Sequence, residues 1–369
     1  MESYEKRELA APDNIKAELI TLRERAFDEQ WTFEIGYTTV MDYPIEQITG
    51  MKLPADWLAK AKLQSSLVRS LEEAMRPLKP CVASAAEFNW ADHNGVTPVR
   101  DQGGCGSCWA FATHGALEGS YSILNQIQID SAEQNTLDCS EMGDCNGGDW
   151  AYEYLVKKGS AKEKDYPYTA KKGMCKNEVQ RPYGATNWGY VDDKPIPSVD
   201  VLKNALCVHG PLGVTVTVTP AFKAYTGGVF NERSSDRINH AVTLVGWDDK
   251  RQAWRIKNSW GTGWGEAGYM WIAYDSNNIG CAATWVTANI ASGWYSCYID
   301  STGPAEDGKI YIWLRDEEGR FSGWFSADSR IAQDALSVAL DALINKKLCN
   351  VALTNTKSYS EIQRIYCNE

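Results

Sequence analysis

The sequence predicts an α+β protein in three parts: a charged helical leading segment, a central unit that is helical first and β-rich second, and a small trailing β unit with one helix. Three observations carry this. Leu63, Leu67, Leu71, Met75 and Leu78 recur at helical spacing until Pro77 and Pro80 stop the helix. A Gly-, Cys- and Trp-rich texture begins at Phe88 and gives way beyond Lys203 to strand-like runs. After Ser292 the order reads three strands, a helix and two strands. With 369 residues the chain exceeds the ~250 at which single cores stop growing, so several folding units are required. Their boundaries are expected at 1–81, 82–292 and 293–369.

In chain order, a first helix is expected around residues 15–30. Between it and the Leu63 helix lies YTTVMDYPIEQITGMKLP, whose Thr, Pro and β-branched residues suit an extended strap better than a helix. The stretch WAFATHGALEGSYSIL after Cys108 is rich in small residues that permit close packing, so that helix is expected to be buried. GVTVTVTP, NHAVTLVGW, AWRIKNSW and GYMWIA then read as strands separated by Gly, Asn and Asp turns. In the trailing part WYSCYI, KIYIWLRD and FSGWFSA read as strands, IAQDALSVALDALIN as a helix, and LCNVALTN and EIQRIYC as strands. That order matches an OB-like β-barrel. Of Trp294, Trp313 and Trp324, at least two are expected in the barrel core.

Composition narrows the function classes. No apolar run reaches the ~18 residues of a membrane span. A net charge of −11 without any dense Lys/Arg cluster argues against nucleic-acid backbones and anionic membrane surfaces as partners. Eleven cysteines, several in loop sequence such as DCSEMGDCNGG, suggest a disulfide framework with one thiol held back, and hence a secreted or otherwise extracytoplasmic protein. The first residues carry no basic segment followed by an apolar stretch, so a secretory signal is expected to have been trimmed. Nothing in the sequence requires a cofactor or a metal ion.

Nucleophilic catalysis needs a nucleophile, a base, a group that orients the base, and donors for a developing oxyanion. Cys108 lies in DQGGCGSCWAFA, where glycines make a tight turn and a helix starts, so its sulfur sits at a helix N-terminus that favours the thiolate. Cys105 in the same run suits a disulfide better. Of four histidines, His114 is six residues along the same helix and points away, and His93 belongs to the loop entering the motif. His209, in the turn VHGPLG, and His240 remain; His240 is favoured because it leaves a polar loop and opens the strand AVTLVGW, from which an imidazole can face a cleft. Asn258 opens NSWGTGWGEAGY on the next strand and can hold the imidazole through Nδ1 or Nε2, with Trp260 shielding the contact from water. Gln102, six residues before Cys108, can aim its amide at the carbonyl oxygen that the Cys108 N–H reaches.

CGSCW resembles the signature around the nucleophile of the papain and cathepsin cysteine peptidases. QGGCGSCWAFA, CNGG at 145–148, DYPYTA, NHAVTLVGW and NSWGTGWGEAGY follow in that family's order between about 88 and 290. His240 stands 132 residues after Cys108, inside the family's interval. The resemblance implies a papain-like two-lobed catalytic domain that hydrolyses peptide bonds through an acyl-enzyme. In it Cys108 and His240 form the thiolate–imidazolium pair, Asn258 orients the imidazole, and Gln102 with the Cys108 amide makes the oxyanion hole. It implies pairing of substrate backbone at Gly147 and Gly148, where no Cβ intervenes. It implies a specificity pocket lined by Trp150, Thr215, Ile238, Ala241 and Val286, none acidic, and so an apolar or aromatic P2 side chain. Asn239 stands where several plant relatives carry an acidic residue, which is expected to alter pH dependence; it and Trp260 border the substrate site. The resemblance also pairs Cys105 with Cys145 and Cys139 with Cys175. Cys281 matches a half-cystine whose usual partner is missing from FNERSSDRINH, and Cys207 is a candidate replacement. The pairing of Cys81, Cys297, Cys349 and Cys367 stays open, with at least one bond expected inside the trailing domain.

Residues before about 81 take the place of a propeptide, without the interspersed helical motif of eukaryotic cathepsin pro-segments; this points to a bacterial-type or otherwise divergent member. Residues 37–57 are expected to cross the cleft against the substrate direction and keep a zymogen inactive. Expected partners are peptide or protein substrates, the chain's own propeptide as inhibitor, and a carbohydrate or protein ligand for the trailing domain. Two rival readings are weighed: a catalytically silent peptidase-like binding protein acting through its C-terminal domain, and a Cys-His-Asn acyltransferase. Intact Cys108, His240 and Asn258 argue against the first, and the ordered motifs against the second.

Overall fold

The structure, a computed structural model, describes residues 4–72, 77–289, 293–356 and 358–367, with the side chains of 65–72 and 293 outside the description. Two bodies of strands organise it. A nine-stranded sheet runs Thr32–Ile35, Tyr225–Phe230, Tyr269–Ala273, Ala253–Lys257, His240–Asp248, Leu212–Val216, Cys281–Ala288, Ala185–Tyr190, with Glu87–Asn89 beside His240–Asp248. A separate closed barrel is built from Gly293–Pro304, Ile310–Asp316, Ser322–Ala327, Glu361–Cys367 and Cys349–Leu353, in that order around the barrel.

The helix Cys108–Asn125 is buried along nearly its whole length, as its small residues lead one to expect. A Cβ on Gly115 would come within 2.3 Å of Thr243 Oγ1, and one on Gly119 within 2.6 Å of Pro211, so these two positions let the helix lie directly on the sheet. His240–Asp248 is buried at every position, which is why its sequence is nearly unbroken apolar rather than alternating.

The leading segment is folded onto this sheet. Helix Asp13–Asp28 buries Ile15, Leu19 and Leu22 at spacings of four and three. The strand Thr32–Ile35, which the sequence did not announce, pairs antiparallel with Tyr225–Phe230 and so adds an edge strand. The strap is less extended than expected: it turns through a short helix, Ile45–Ile48, after Pro44 fixes the first turn. Helix Trp57–Glu72 is described through its first turns, where Trp57, Ala61 and Gln64 make its contacts. Leu63 is exposed, whereas Trp57 packs on Tyr190 at 5.7 Å, Ala61 is buried, and Gln64 Oε1 accepts from the Tyr190 N–H at 3.1 Å. The side chains of Leu67 and Leu71, and all of Met75, lie outside the described residues. Helix Val199–His209 carries the chain past Lys203 before the first of the expected strands, Leu212–Val216; Ser198 caps its N-terminus by accepting from the Val201 N–H.

Four disulfides form. Cys105–Cys145 and Cys139–Cys175 are the pairs the resemblance implies. Cys207 bonds Cys81 rather than Cys281, because the Leu78 N–H donates to the Cys207 carbonyl at 2.7 Å and brings the chain end of the leading segment to that helix. Cys349–Cys367 joins two barrel strands at directly opposed positions. Three thiols are free, not one: Cys108, Cys281 and Cys297.

In the barrel the expected core tryptophans are displaced by the period-two alternation of its strands. Ile310, Ile312 and Leu314 point inward, which turns Tyr311 and Trp313 outward, and Phe325 does the same to Trp324. Trp294 is 51% exposed and Trp313 and Trp324 are half-buried, so none of the three is a core residue.

Candidate active site

Cys108 is the first residue of its helix and His240 the first of its strand. The helix and strand touch at Gly115 and Thr243. Seven helical residues and three strand residues both span about 10 Å from that contact. The two ends therefore meet, and the backbone of Ala241 lies close enough to the Cys108 sulfur to favour its ionised form.

His240 Nε2 and Asn258 Oδ1 are 2.8 Å apart; since Oδ1 also accepts from the Ser259 N–H, the ring donates through Nε2. Nδ1 has no partner among the described residues and is the ring atom left for proton transfer. Trp260 covers the pair, its ring centroid 4.8 Å from that of His240. Gln102 is fully buried and fixed at Oε1 by the Ser259 hydroxyl at 2.7 Å. Its Nε2 donates to the carbonyls of Cys105, at 2.8 Å, and Ile48, at 3.1 Å. Nothing local marks Ser259 as the anchor of Gln102, since only the fold brings 259 beside 102.

The strap lies on these groups. Trp260 Nε1 donates to the same Ile48 carbonyl at 3.1 Å, and the backbone of Gly50 lies close enough to the Cys108 sulfur to favour its ionised form. Gly50 and Met51 N–H groups donate to the Asn239 carbonyl at 2.9 Å. Lys52 donates to Gly148 O and Gly148 to Gly50 O, each at 2.8 Å, which makes Met51 and Gly148 a parallel bridge. Gly147, at φ +125, and Gly148 thus carry strap backbone where a Cβ would collide with Gly50 O or Trp109. Gly50 fits more tightly still: a Cβ there would fall 1.9 Å from Gly106 O.

Covering the site changes its protonation. Burial pushes the Cys108 thiol up to about 12, against the opposing backbone bonds from Ala241, Gly50 and Trp109. Burial also lowers His240 to about 4, with its Asn258 bond pulling the other way. A helix N-terminus offers a thiolate about 0.3–1 kcal/mol, less than the several kcal/mol that desolvation takes away. Near neutral pH the strapped pair is a thiol and a neutral imidazole.

The other histidines are accounted for. His114 is buried between the hydroxyls of Ser131, at 2.6 Å, and Thr136, at 2.7 Å. His209 stacks on Trp285 at 4.3 Å, and His93 on Phe88 at 5.1 Å. Among the expected pocket residues, Trp150, Thr215, Ala241 and Val286 are buried and Ile238 is half-buried. Thr215 pairs across the sheet with Ala241 and spends its hydroxyl on the Cys281 carbonyl, leaving its methyl as the apolar end. Asn239 turns its amide to the Val218 backbone, so it does not bond His240.

Asn258 also borders a small buried cavity that no local sequence pattern announces, lined in part by Arg100, Glu118, Glu133, Lys257 and Ser259. Glu118 accepts from the Thr97 hydroxyl, from Ser131 N–H at 2.8 Å and from Ser131 Oγ at 2.9 Å, while Lys257 Nζ donates to Thr97 at 3.0 Å. Burial, then Glu118, holds Glu133 well above the usual carboxylate range.

A cysteine, an imidazole and an amide on a shared helix–sheet junction define a thiol-based acyl-transfer site. Residues 84–289, more than half the chain, match the family described as Papain family cysteine protease. This chain belongs to that family. It is 42% identical over 205 residues to "Cathepsin L 2" of Paramecium tetraurelia, a match covering 54% of this chain and 63% of that protein. It is 35% identical over 259 residues to "Cathepsin L-like" of Caenorhabditis elegans, covering 67% and 74%. The solved digestive procathepsin L 3 of Tenebrio molitor larval midgut superposes with a TM-score of 0.58 at 28% identity, covering 74% of this chain and 89% of that one.

Proposed function

We propose that this chain is a cathepsin L-like cysteine endopeptidase in its zymogen form, with residues 37–57 as the inhibitory strap. The observation that carries the reading is the Ile48 carbonyl held by Gln102 Nε2 and Trp260 Nε1 while Gly50 sits on the Cys108 sulfur. A peptide carbonyl already occupies the donors that an oxyanion needs. The match to a procathepsin over 74% of the chain, beyond the 84–289 family match, supports the leading segment as a pro-region.

With the strap gone, Cys108 attacks the scissile carbonyl carbon as thiolate. Gln102 Nε2 and the Cys108 N–H hold the oxyanion. His240, kept in place by Asn258, passes a proton from Nδ1 to the leaving amine and then takes one from the water that hydrolyses the acyl-enzyme. Substrates run antiparallel at Gly148, opposite to the strap's parallel pairing. Trp150, Thr215, Ile238, Ala241 and Val286 form the apolar pocket that selects an apolar P2 side chain. The five-stranded barrel with its helix between the third and fourth strands is OB-like. Four disulfides fit a secreted or lysosome-like compartment.

The bond Cys81–Cys207 bears on maturation. A cut after Cys81 would leave the strap tethered by that disulfide, so the cut falls before Leu78, whose backbone is already bonded to Cys207. The test is gel and intact-mass analysis of the full chain beside Cys108→Ala, from mildly acidic to neutral pH, with a fluorogenic peptide carrying an apolar P2 residue. The unmutated chain should shed a fragment without disulfide reduction and gain activity, while the variant does neither. No thiol-dependent turnover after removal of the leading segment would hand the chain to the silent binding-protein reading.

A further inference from the structure

The outward face of the barrel carries aromatic side chains that packing does not account for. Tyr311, Trp313 and Trp324 lie on adjacent strands, with Trp313 directly opposite Trp324 and their rings 5.4 Å apart, edge to face. Tyr359, on the loop between the last two strands, joins them: its N–H donates to the Trp324 carbonyl at 2.5 Å, and its ring meets Tyr311 at 5.7 Å. Tyr359 is 65% exposed and sits at φ +67, in the left-handed region that bulky side chains avoid. A strained backbone that presents a ring to water gains nothing in burial, so the gain lies elsewhere.

Tyr311, Trp324 and Tyr359 wall an open groove whose other side is Pro304, the last residue of the first barrel strand, with Glu306 and Asp307 in the loop after it. Asp307 accepts from the Tyr311 hydroxyl at 2.9 Å and fixes that ring's tilt. The groove is thus bounded by the second and third strands and by the loops between strands one and two and strands four and five. In a five-stranded barrel of this order that is the face which meets oligonucleotides and oligosaccharides. Charge separates the two. Among the described residues no Lys or Arg lines the groove, two carboxylates do, and residues 293–367 hold ten acidic side chains against eight basic ones, so a phosphate backbone is repelled.

We propose that this groove binds a neutral oligosaccharide: sugar rings stack on Tyr359 and Trp324, and their hydroxyls donate to Glu306 and Asp307. The proposal rests on the OB-like reading of the barrel and is independent of the peptidase site. The full chain carrying Cys108→Ala, which removes self-processing, is passed over an array of immobilised neutral oligosaccharides together with a proline-rich peptide and a poly-dT strand. Retention is expected on at least one oligosaccharide class, reduced roughly tenfold or more by Tyr359→Ala or Trp324→Ala and unchanged by Trp294→Ala. Tyr359 is an exposed loop residue, so its variant tests the groove even where Trp324→Ala perturbs the barrel. Three results overturn the proposal: no oligosaccharide retained, retention that both variants leave intact, or retention on the peptide or poly-dT instead. Because retention needs no turnover, its failure leaves the peptidase reading standing, and failure of that reading leaves this one testable.

Discussion

At Gly50 the strap passes over the nucleophile with no room for a methyl group, since its Cβ position lies 1.9 Å from the Gly106 carbonyl oxygen. Overpacking of such a contact costs about 1–3 kcal/mol. Gly50→Ala should therefore lift the strap and speed self-processing roughly tenfold or more at a fixed pH, read as the rate of fragment release. An unchanged rate would mean that the strap does not control access. At this scale much of the site was legible. Cys108, His240, Asn258 and Gln102 each stood in a local pattern that specifies geometry: a turn into a helix, the head of a strand, a Gly-rich polar loop. What was not legible depends on tertiary approach. Ser259 meets Gln102 across 157 residues of chain, and Glu118, Glu133 and Lys257 become one buried polar cluster only when helix and sheet stack.

Among elements, helix Trp57–Glu72 brings the Lys60 charge within reach of Asp149, one residue past the Gly148 that pairs with the strap. Burial raises the Asp149 carboxyl to about 6, against the Trp150 backbone N–H and the Lys60 charge, with Asp56 raising it further. A raised carboxyl supports the docked state at low pH and loses that support as pH rises through 6. Asp149→Asn should then slow self-processing relative to the unmutated chain at pH 7 and match it near pH 4, followed by the same fragment-release assay. Equal rates at both pH values would show that this helix is not held through Asp149. The strand Thr32–Ile35 and the docking face of this helix were hidden from the sequence for one reason: both are edges whose partners come from distant chain. The barrel was legible because its first three strands alternate and its one helix is periodic. Only the placement of its tryptophans failed, where inward isoleucine and leucine set the register and turned the larger rings out.

For the whole molecule, latency is a matter of solvent. His240 is held near 4, below its usual 6.5, so its contribution to the strapped state is complete above pH 6.5 and is lost as pH falls towards 4. Asp149 acts in the opposite sense over much of the same range, which makes the acid response of the intact chain shallower than that of Asp149→Asn. The central claim is that the strap keeps Cys108 covered and protonated. Its most direct measurement is the rate at which iodoacetamide alkylates Cys108, followed by mass spectrometry of the peptide that contains it, in the full chain and in the self-processed chain between pH 5 and 8. Slow alkylation of the full chain that rises at least about a hundredfold after processing, with thiolate reactivity persisting below pH 7, is what this account predicts. Equal rates in the two forms would contradict it.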